Sequence, residues 1–583
     1  MATYTTPGVY VEEISTLPAS IAPVATAIPA FIGYTKQRKE NGVDFAVNTP
    51  KRITSLLEFE QMFGTTLNEA FTVSLTDPPA GSTDNATLTL NNPSSWSPYL
   101  LYYQVKMYFG NGGGPCWIVS VGNITPGGTL DATELENGLK SCEKEDEITL
   151  LVIPEIVKLG TSASRRQLND AMLVQCNKLQ DRFAVIDTLE GSASDSISTV
   201  AGNFRNNEVS LANLKYGAAY FPSLQTTINY LYDVSEIAIA DTRTAPANIY
   251  NTKKVSYLNG TYIPAEGTIS VGTNPTANKT LTINGTVFTF KAGDNTGSNI
   301  EIGANEGATA TKIAEKINTH AATKDILTAT KVGTTVELDA KGTMNGPAGN
   351  NITLASNDAG VTVPAKLSGG KDLSDLALYN KIIALLKEKT LTLYPSAAMC
   401  GVYASVDRNR GVWKAPANYS LAMVNKPNVD ITDDEQGLLN VDATSGKSIN
   451  AIRTFTGKGV LVWGARTLAG NDNEWRYVPV RRLYIFVEES IKKSTEFVVF
   501  EPNDANTWVK VKGSITNFLT GLWRDGALAG AKPEDAFFVN IGLGVTMTSL
   551  DILEGRMNIE IGMAAVRPAE FIILKFSHLL AKS

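Results

Sequence analysis

Apolar positions along this chain follow two rhythms that take turns, one of period 3.6 and one of near-continuous apolar runs. Leu100, Tyr103 and Met107 recur at helical spacing behind Ser97-Pro98, which predicts an N-capped helix with proline in its first turn. Asn111-Gly112-Gly113-Gly114 stops that helix, and Cys116–Val121 reads as the buried strand that follows. The alternation continues with a strand at Ile148–Ile153, a helix at Ser164–Leu179 carrying Leu168, Met172 and Cys176, and strands at Phe183–Ile186 and Tyr216–Phe221. Strands alternating with helices predict a layered α/β domain.

The pattern changes near Asn259. From there to Gly370 the chain is rich in Gly, Thr, Asn and Ala, with Tyr262, Phe288 and Phe290 as its aromatics. Leu281–Phe290 alternates around Asn284-Gly285, which predicts a hairpin with a tight turn. Ala310, Ile313, Ala314 and Ile317 predict a short amphipathic helix, and Val336–Leu338 and Ile352–Leu354 predict further strands. This is an independent small α+β module looped out of its host. Apolar density then returns with a helix over Leu373–Leu386. Two amphipathic helices follow, one with Val480, Leu483, Tyr484, Val487 and Ile491 on a face, the other with Val511, Ile515, Phe518, Leu519 and Leu522.

Both ends break the pattern. Val9–Ile14 is β-branched and alternating, but Pro7-Gly8 before it and Pro18, Pro23 and Pro29 after it deny it a local hairpin partner. Phe571–Phe576 is a second strand-like run behind Pro568. An unpaired strand on a proline-stiffened tether must find its sheet elsewhere, plausibly on another subunit.

Composition narrows the chemistry. Of 583 residues, 43 % are hydrophobic and 19 % charged, ordinary for a water-exposed globular protein, and the length gives roughly four domains. A net charge of −7 offers no basic footprint for nucleic acid. No apolar run reaches the roughly 18 residues needed to cross a bilayer, and no charged segment precedes an apolar leader, so no direct membrane insertion and a cytoplasmic product without a signal peptide are expected. The four cysteines lie far apart without a CxxC pair, and two histidines leave little for triads or metal sites. Ser445-Gly446-Lys447-Ser448 imitates the end of a phosphate-binding loop, but Val441 stands where that loop needs glycine. Asn111–Pro115 has its helix before the glycines rather than after them. Asp430, Asp433 and Asp434 lack the spacing of a calcium loop. No catalytic, cofactor-binding or metal-binding set is expected.

Several stretches together resemble one family, the contractile tail sheath proteins of phages, R-type pyocins and extracellular contractile injection systems. They are Pro7–Glu13, Tyr108–Gly113 leading into Trp117–Val121, Ala404–Asn418, Ile449–Arg453, Trp463–Leu468, Trp475–Leu483, Phe500–Asn503 and Pro568–Phe571. The likeness runs through nearly the whole chain except 259–370 and the polar stretch 72–92. It implies a structural protein, not an enzyme. Such a subunit polymerises around an inner tube and contracts from a metastable extended state to drive the tube through a target cell envelope.

The fold class implied is α/β and α+β multidomain, with a C-terminal sheath domain completed by strand arms. Residues 1–29 would be an N-terminal strand arm and linker, and 30–258 continued by 371–418 a middle α/β domain. Residues 259–370 would be an inserted, surface-exposed α+β domain, 419–566 the inner domain facing the tube, and 567–583 the C-terminal arm. Val9, Tyr10, Val11, Glu12 and Ile14 would form the first arm strand; Phe571, Ile572, Ile573, Leu574 and Phe576 would form the second. Candidate tube-facing charges are Arg481, Arg482, Lys492, Lys493, Lys510, Lys512 and Arg524. Asp407, Arg408, Arg410 and Trp413 are candidates for interdomain or intersubunit packing rather than for an active site.

The implied partners are the chain itself, with paralogous sheath chains as further candidates, an inner tube protein, and baseplate and terminator proteins at the sheath ends. No cofactor or nucleic acid is implied. After cytoplasmic assembly the protein would sit in a phage tail or tail-like injection particle. The alternative is a static shell or adhesin-like particle protein whose inserted domain binds a ligand.

Overall fold

The computed structural model describes residues 21–79, 86–192, 194–244, 249–260 and 262–574. Two compact units divide the chain, one comprising 1–67, 97–228 and 390–583, the other 68–96 and 229–389.

The first unit is built on a nine-stranded sheet. In chain order its strands are β1 (Pro29–Thr35), β2 (Lys51–Ile53), β3 (Cys116–Asn123), β4 (Leu150–Val152), β5 (Phe183–Asp187), β6 (Gly217–Phe221), β7 (Tyr419–Ser420), β8 (Ile449–Phe455) and β9 (Gly459–Val462). They lie in the order β7-β9-β8-β6-β5-β4-β1-β3-β2. Pairing is parallel from β3 through β8 and antiparallel at both ends. All residues of β1, β4, β5 and β6 are buried, as strands covered on both faces must be. Helices α1 (Leu101–Gly110), α2 (Ser162–Leu179) and α3 (Ser396–Arg410) belong to the same unit.

This sheet revises one expected boundary. β7, β8 and β9 follow residue 418, yet they continue the sheet of β1–β6, with Ala219, Tyr220 and Phe221 of β6 paired to Ile449, Asn450 and Ala451 of β8. The chain therefore does not change domain at 418/419. The later part that packs separately consists of α4 (Val478–Ser494), α5 (Ala505–Arg524) and the hairpin β10 (Phe537–Ile541) and β11 (Ile559–Met563). Leu483, Val487, Val511, Ile515, Leu519 and Val539 form its core, joined by Ile21 from the N-terminal linker.

The start of α1 also differs from expectation. Helix geometry begins at Leu101, and Ser97 does not cap it. The buried carboxylate of Glu155 does, accepting from the backbone N–H groups of Leu100 (3.1 Å) and Leu101 (3.4 Å) and, in β1, of Tyr34 (3.2 Å). Three backbone donors, two of them at the helix start, are satisfied by one side chain 55, 54 and 121 residues away in sequence. Gly33 is needed for this approach, because a Cβ there would come within 2.9 Å of Glu155 Oε2. Asp187 does the same for α3, accepting from Ser396 N (2.7 Å) and Ser396 Oγ (2.6 Å).

In the second unit, Ala238–Asp241 pairs parallel to Thr72–Thr76, which pairs antiparallel to Thr87–Asn91. Phe71, Val73, Ile237, Ile239, Ile382 and Leu386 make one core there. Residues 68–96, 229–258 and 371–389, all expected in the middle domain, thus group with 259–370 in this second unit rather than with the nine-stranded sheet. Residues 265–367 have a separate core that includes Ile269, Leu281, Phe288, Phe290, Ile313 and Leu338. Two four-stranded sheets and the helix Glu306–Thr319 enclose it. The Asn284-Gly285 turn has φ of 47° and 79°, the left-handed pair that a two-residue hairpin of this kind requires. Ile263 bridges Lys371 and Glu266 bridges Ser368, so the two ends of this module run side by side.

Burial pushes the Glu155 carboxyl up to about 8 against the pull of its three N–H donors, and pushes Asp187 up to about 7. An ordinary unfolded carboxyl titrates at about 4. The folded state therefore holds more protons between those values, and the resulting stabilisation, complete below about pH 4, is lost as pH rises through 7–8. The thermal midpoint should fall between pH 5 and 9. Glu155→Gln should flatten that decline, leaving the share due to Asp187; an unchanged slope by circular dichroism would exclude Glu155 as its source.

Candidate intersubunit interface

α4 begins behind Tyr477 with Pro479 in its first turn, and its first two turns are buried all round. Arg481 and Arg482 lie there at 2 % and 3 % exposure, which corrects their expected place on a solvated, tube-facing helix face. Arg482 forms a two-pronged ion pair with Asp407 at the end of α3 (2.6 and 3.0 Å) and donates to the carbonyl of Thr26 (2.6 Å). Thr26 Oγ1 donates in turn to Asp407 (2.6 Å). Burial opposes the Arg482 charge, yet the Asp407 carboxylate holds its pKa above the ordinary guanidinium value. Arg481 pairs with Glu488 (2.6 Å) and lies 4.5 Å from the ring centre of Trp475 and 5.1 Å from that of Tyr216. Both arginines hold the unit together internally.

The N-terminal linker is laid along the same helix. Ala22 N donates to Ser494 Oγ and Val24 N to Ser490 Oγ, and Ile28 then meets Thr149 before β1 begins. The arm residues Val9, Tyr10, Val11, Glu12 and Ile14 lie outside the described residues, as does Phe576.

At the other end, Glu570 is clamped. Arg466 reaches it with two nitrogens (2.9 and 2.7 Å), Asn440 donates at 2.8 Å and Tyr477 at 3.0 Å. Burial raises the Glu570 pKa, but Arg466 and the other donors outweigh it and hold the carboxylate below its ordinary range. Immediately beyond the clamp, Phe571, Ile572, Ile573 and Leu574 have no strand partner among the described residues and are 71–80 % exposed.

The remaining candidates divide. Lys492 and Lys493 pair with Glu489 (3.3 and 3.4 Å), and Lys493 also with Asp146 (2.7 Å). Lys510, Lys512 and Arg524 are exposed on α5 and make no ion pair among the described residues. Arg408 donates to the carbonyl of Gly112 (3.3 Å). Arg410 and Trp413 lie apart from Asp407, in an open groove of about 840 Å³ shared with Lys414, Trp463, Tyr477 and Arg567. Lys447, of the loop that imitates a phosphate site, is buried with its ammonium donating to the carbonyls of Arg205 and Val209, inside the unit rather than toward solvent where a phosphate could reach it. Among the described residues no group of three His, Cys, Asp or Glu side chains is placed to hold a metal, and no helix is long and apolar enough to cross a membrane.

Sequence reasoning missed Thr26, Arg466 and Glu570. For Glu570 a signal existed, a lone acid directly before the apolar run of Phe571–Leu574; for Thr26 none did.

The phage tail sheath C-terminal domain family matches residues 470–577, which include α4, α5, the β10–β11 hairpin and the clamped segment. The tail sheath protein of Vibrio phage KVP40 is 26 % identical over 127 residues, 21 % of this chain and 18 % of that protein. The chain is similar to contractile tail sheath proteins. Alignment to the curated phage relatives spans only about a fifth of their length. Likeness to solved sheath structures runs the length of the chain. A chain of the sheath complex of the PVC extracellular contractile injection system, in its contracted state, is 26 % identical, with 99 % of this chain and 98 % of that one covered and a TM-score of 0.52. A chain of the anti-feeding prophage baseplate is 25 % identical, with 99 % and 100 % covered and a TM-score of 0.51. These relatives are structural sheath and baseplate components rather than enzymes.

Asp407→Ala should cost about 3–5 kcal/mol by stranding the buried Arg482 charge, read as a drop in the urea midpoint of the first unit. The double change Arg482→Met with Asp407→Leu should recover much of that loss. A double variant as unstable as the single one would show that the pair itself, not the stranded charge, sets the cost.

Proposed function

We propose that this chain is a sheath subunit that polymerises around an inner tube and contracts from a metastable extended state to drive the tube through a target envelope. The observation that carries the reading is the C-terminal segment. It is fixed at Glu570 by Arg466, Asn440 and Tyr477 and then offers four consecutive large apolar side chains to solvent. Such a run is costly to expose and suited to adding a strand to a neighbour's sheet. The β10–β11 hairpin, with two strands and unpaired outer edges among the described residues, is the receiving sheet we favour. The N-terminal arm, tethered through Ile21 to the core behind that hairpin, is its counterpart. Strand addition suits contraction because main-chain bonds survive rigid-body rotation of the sheet they join. A difference of a few kcal/mol per subunit, summed over roughly a hundred subunits, suffices for the work without a nucleotide.

The tube-facing surface we favour is α5, where Lys510, Lys512 and Arg524 make no ion pair among the described residues, rather than α4. Residues 259–370 are assigned to the outer surface, since a module of this size facing the tube would obstruct it. Baseplate and terminator proteins are the proposed partners at the sheath ends, and a phage tail or tail-like injection particle the proposed location.

Removal of residues 1–14 should leave a folded monomer, by circular dichroism and light scattering, that forms no sheath when co-expressed with tube protein. Normal sheaths from that variant would refute the arm assignment. The parent should give tubes of two diameters by negative-stain microscopy before and after mild urea or acid, the wider ones shorter; a single diameter throughout would favour a static shell. Lys510→Glu with Lys512→Glu should abolish tube-templated assembly while changing monomer stability by less than about 0.5 kcal/mol, as expected for exposed sites. Unchanged assembly would remove α5 from the tube interface.

A further inference from the structure

Phe500 is the most exposed large apolar residue described, at 103 %, and its backbone lies in the left-handed region at φ 72°. A bulky non-glycine residue holds that conformation only where its surroundings enforce it. They do so here on both sides. Val498 packs against the α4–α5 core, and Glu501 N is bonded to the carbonyl of Val498 (3.0 Å). Asn503 accepts from Trp508 Nε1 (2.7 Å) and donates to the carbonyl of Arg556 (3.0 Å). The loop is thus a rigid post that pushes a phenyl ring into solvent beside Glu496 and Glu501, acids that make no ion pair among the described residues.

The same chain carries a complementary hollow. The groove of about 840 Å³ has aromatic walls from Trp413, Trp463 and Tyr477, and cations Arg410, Lys414 and Arg567 that find no acidic partner among the described residues. Burial first, and then the neighbouring Arg410, hold the Lys414 ammonium below its ordinary pKa. Its two acids are already engaged, Asp433 by Arg453 (2.7 Å) and Glu570 by Arg466 (2.7 Å).

Post and groove cannot meet within one molecule. The post follows the C-terminal end of the 17-residue α4, and Tyr477 of the groove precedes its first residue, a separation of roughly 25 Å at 1.5 Å per residue. The 20-residue α5 repeats the arrangement with the post before its start and Gly526 of the groove just beyond its end, roughly 30 Å apart. We propose that Phe500, with Glu501 beside it, seats in the Trp413–Trp463 groove of a second copy of this chain, opposite Arg410 and Lys414. A contact between different surfaces of identical subunits is head-to-tail, and repeats into a ring or helix rather than closing a dimer. It deepens the sheath reading by adding a side-chain contact that needs neither arm.

The test uses the full chain. Cys116, Cys142, Cys176 and Cys400 are all buried, so an introduced surface thiol reports alone. Glu501→Cys and Arg410→Cys, both exposed sites that leave Phe500 in place, are prepared separately, mixed and oxidised. The mixture should give a disulfide-linked dimer, each variant alone should stay monomeric, and the chain carrying both changes should give a ladder. Adding Phe500→Ala should cut the cross-linked yield about tenfold, as loss of an aromatic anchor does. Glu501→Arg should weaken assembly and Arg410→Glu in the same chain should restore it. A mixture that does not cross-link, or a Glu501→Cys chain that cross-links to itself, overturns the proposal. Cross-linking of the variant pair, with a parent that never forms tubes, would keep this contact and refute the sheath reading; tubes from the parent without cross-linking of the variants would do the reverse.

Discussion

The contact on which the rest of the first unit depends is the buried meeting of Arg482, Asp407 and Thr26. Three chain segments far apart in sequence, the N-terminal linker, the end of α3 and the start of α4, converge on one guanidinium and one carboxylate. Neither charge is tolerable alone in that setting, and each satisfies the other along with the linker's carbonyl and hydroxyl. Such a node is poorly suited to adding stability for its own sake, since packed apolar side chains do that as well. What it adds is position, because only one register of the linker along α4 satisfies all the bonds. An arm that is to join another molecule benefits from a root whose place is fixed.

The same device recurs at the opposite end of the chain. Glu570 is held by Arg466, Asn440 and Tyr477, and the apolar residues after it are left free. Both described tethers are polar and internal, whereas the surfaces left open are apolar or carry unpaired charge. In the sheath reading proposed above, electrostatics inside the unit would fix where contacts with a neighbour start, and apolar area outside it would supply the drive to make them. Glu155 and Asp187 apply the first half of that logic to helix ends, Glu155 gathering three backbone N–H groups and Asp187 the N–H and hydroxyl of Ser396.

How much of this was legible in the chain depends on how local each cause is. The alternation of β4, α2 and β5 was readable because strand and helix periodicities depend on neighbours within a few residues. The Asn284-Gly285 turn was readable because its backbone needs those two residue types. The cap of α1 was not, because Ser97-Pro98 offers an adequate local solution and Glu155 supplies a different one from a distant segment. The burial of Arg481 and Arg482 was hidden for a related reason. Amphipathic reading assigns charge to the outer face, and only the fold shows that Asp407, Glu488, Trp475 and Tyr216 await them inside. The continuation of one sheet across residue 418 was likewise invisible, since strand order is a long-range property. The apolar run Phe571–Leu574 stood out in the sequence, while Thr26, Arg466 and Glu570, which anchor the described ends, did not.

The paired ends of residues 265–367 have a consequence for how such a protein changes over time. Ile263 lies beside Lys371 and Glu266 beside Ser368, so the host chain leaves and returns through a two-stranded stem whose halves stand about 5 Å apart. Whatever lies beyond that stem closes on itself around its own core and imposes almost no distance constraint on the strands below. The host then behaves as a socket, indifferent to the length and nature of what is plugged into it. Domains of quite different composition can be exchanged at this point without renegotiating the core of Phe71, Val73, Ile237 and Ile239.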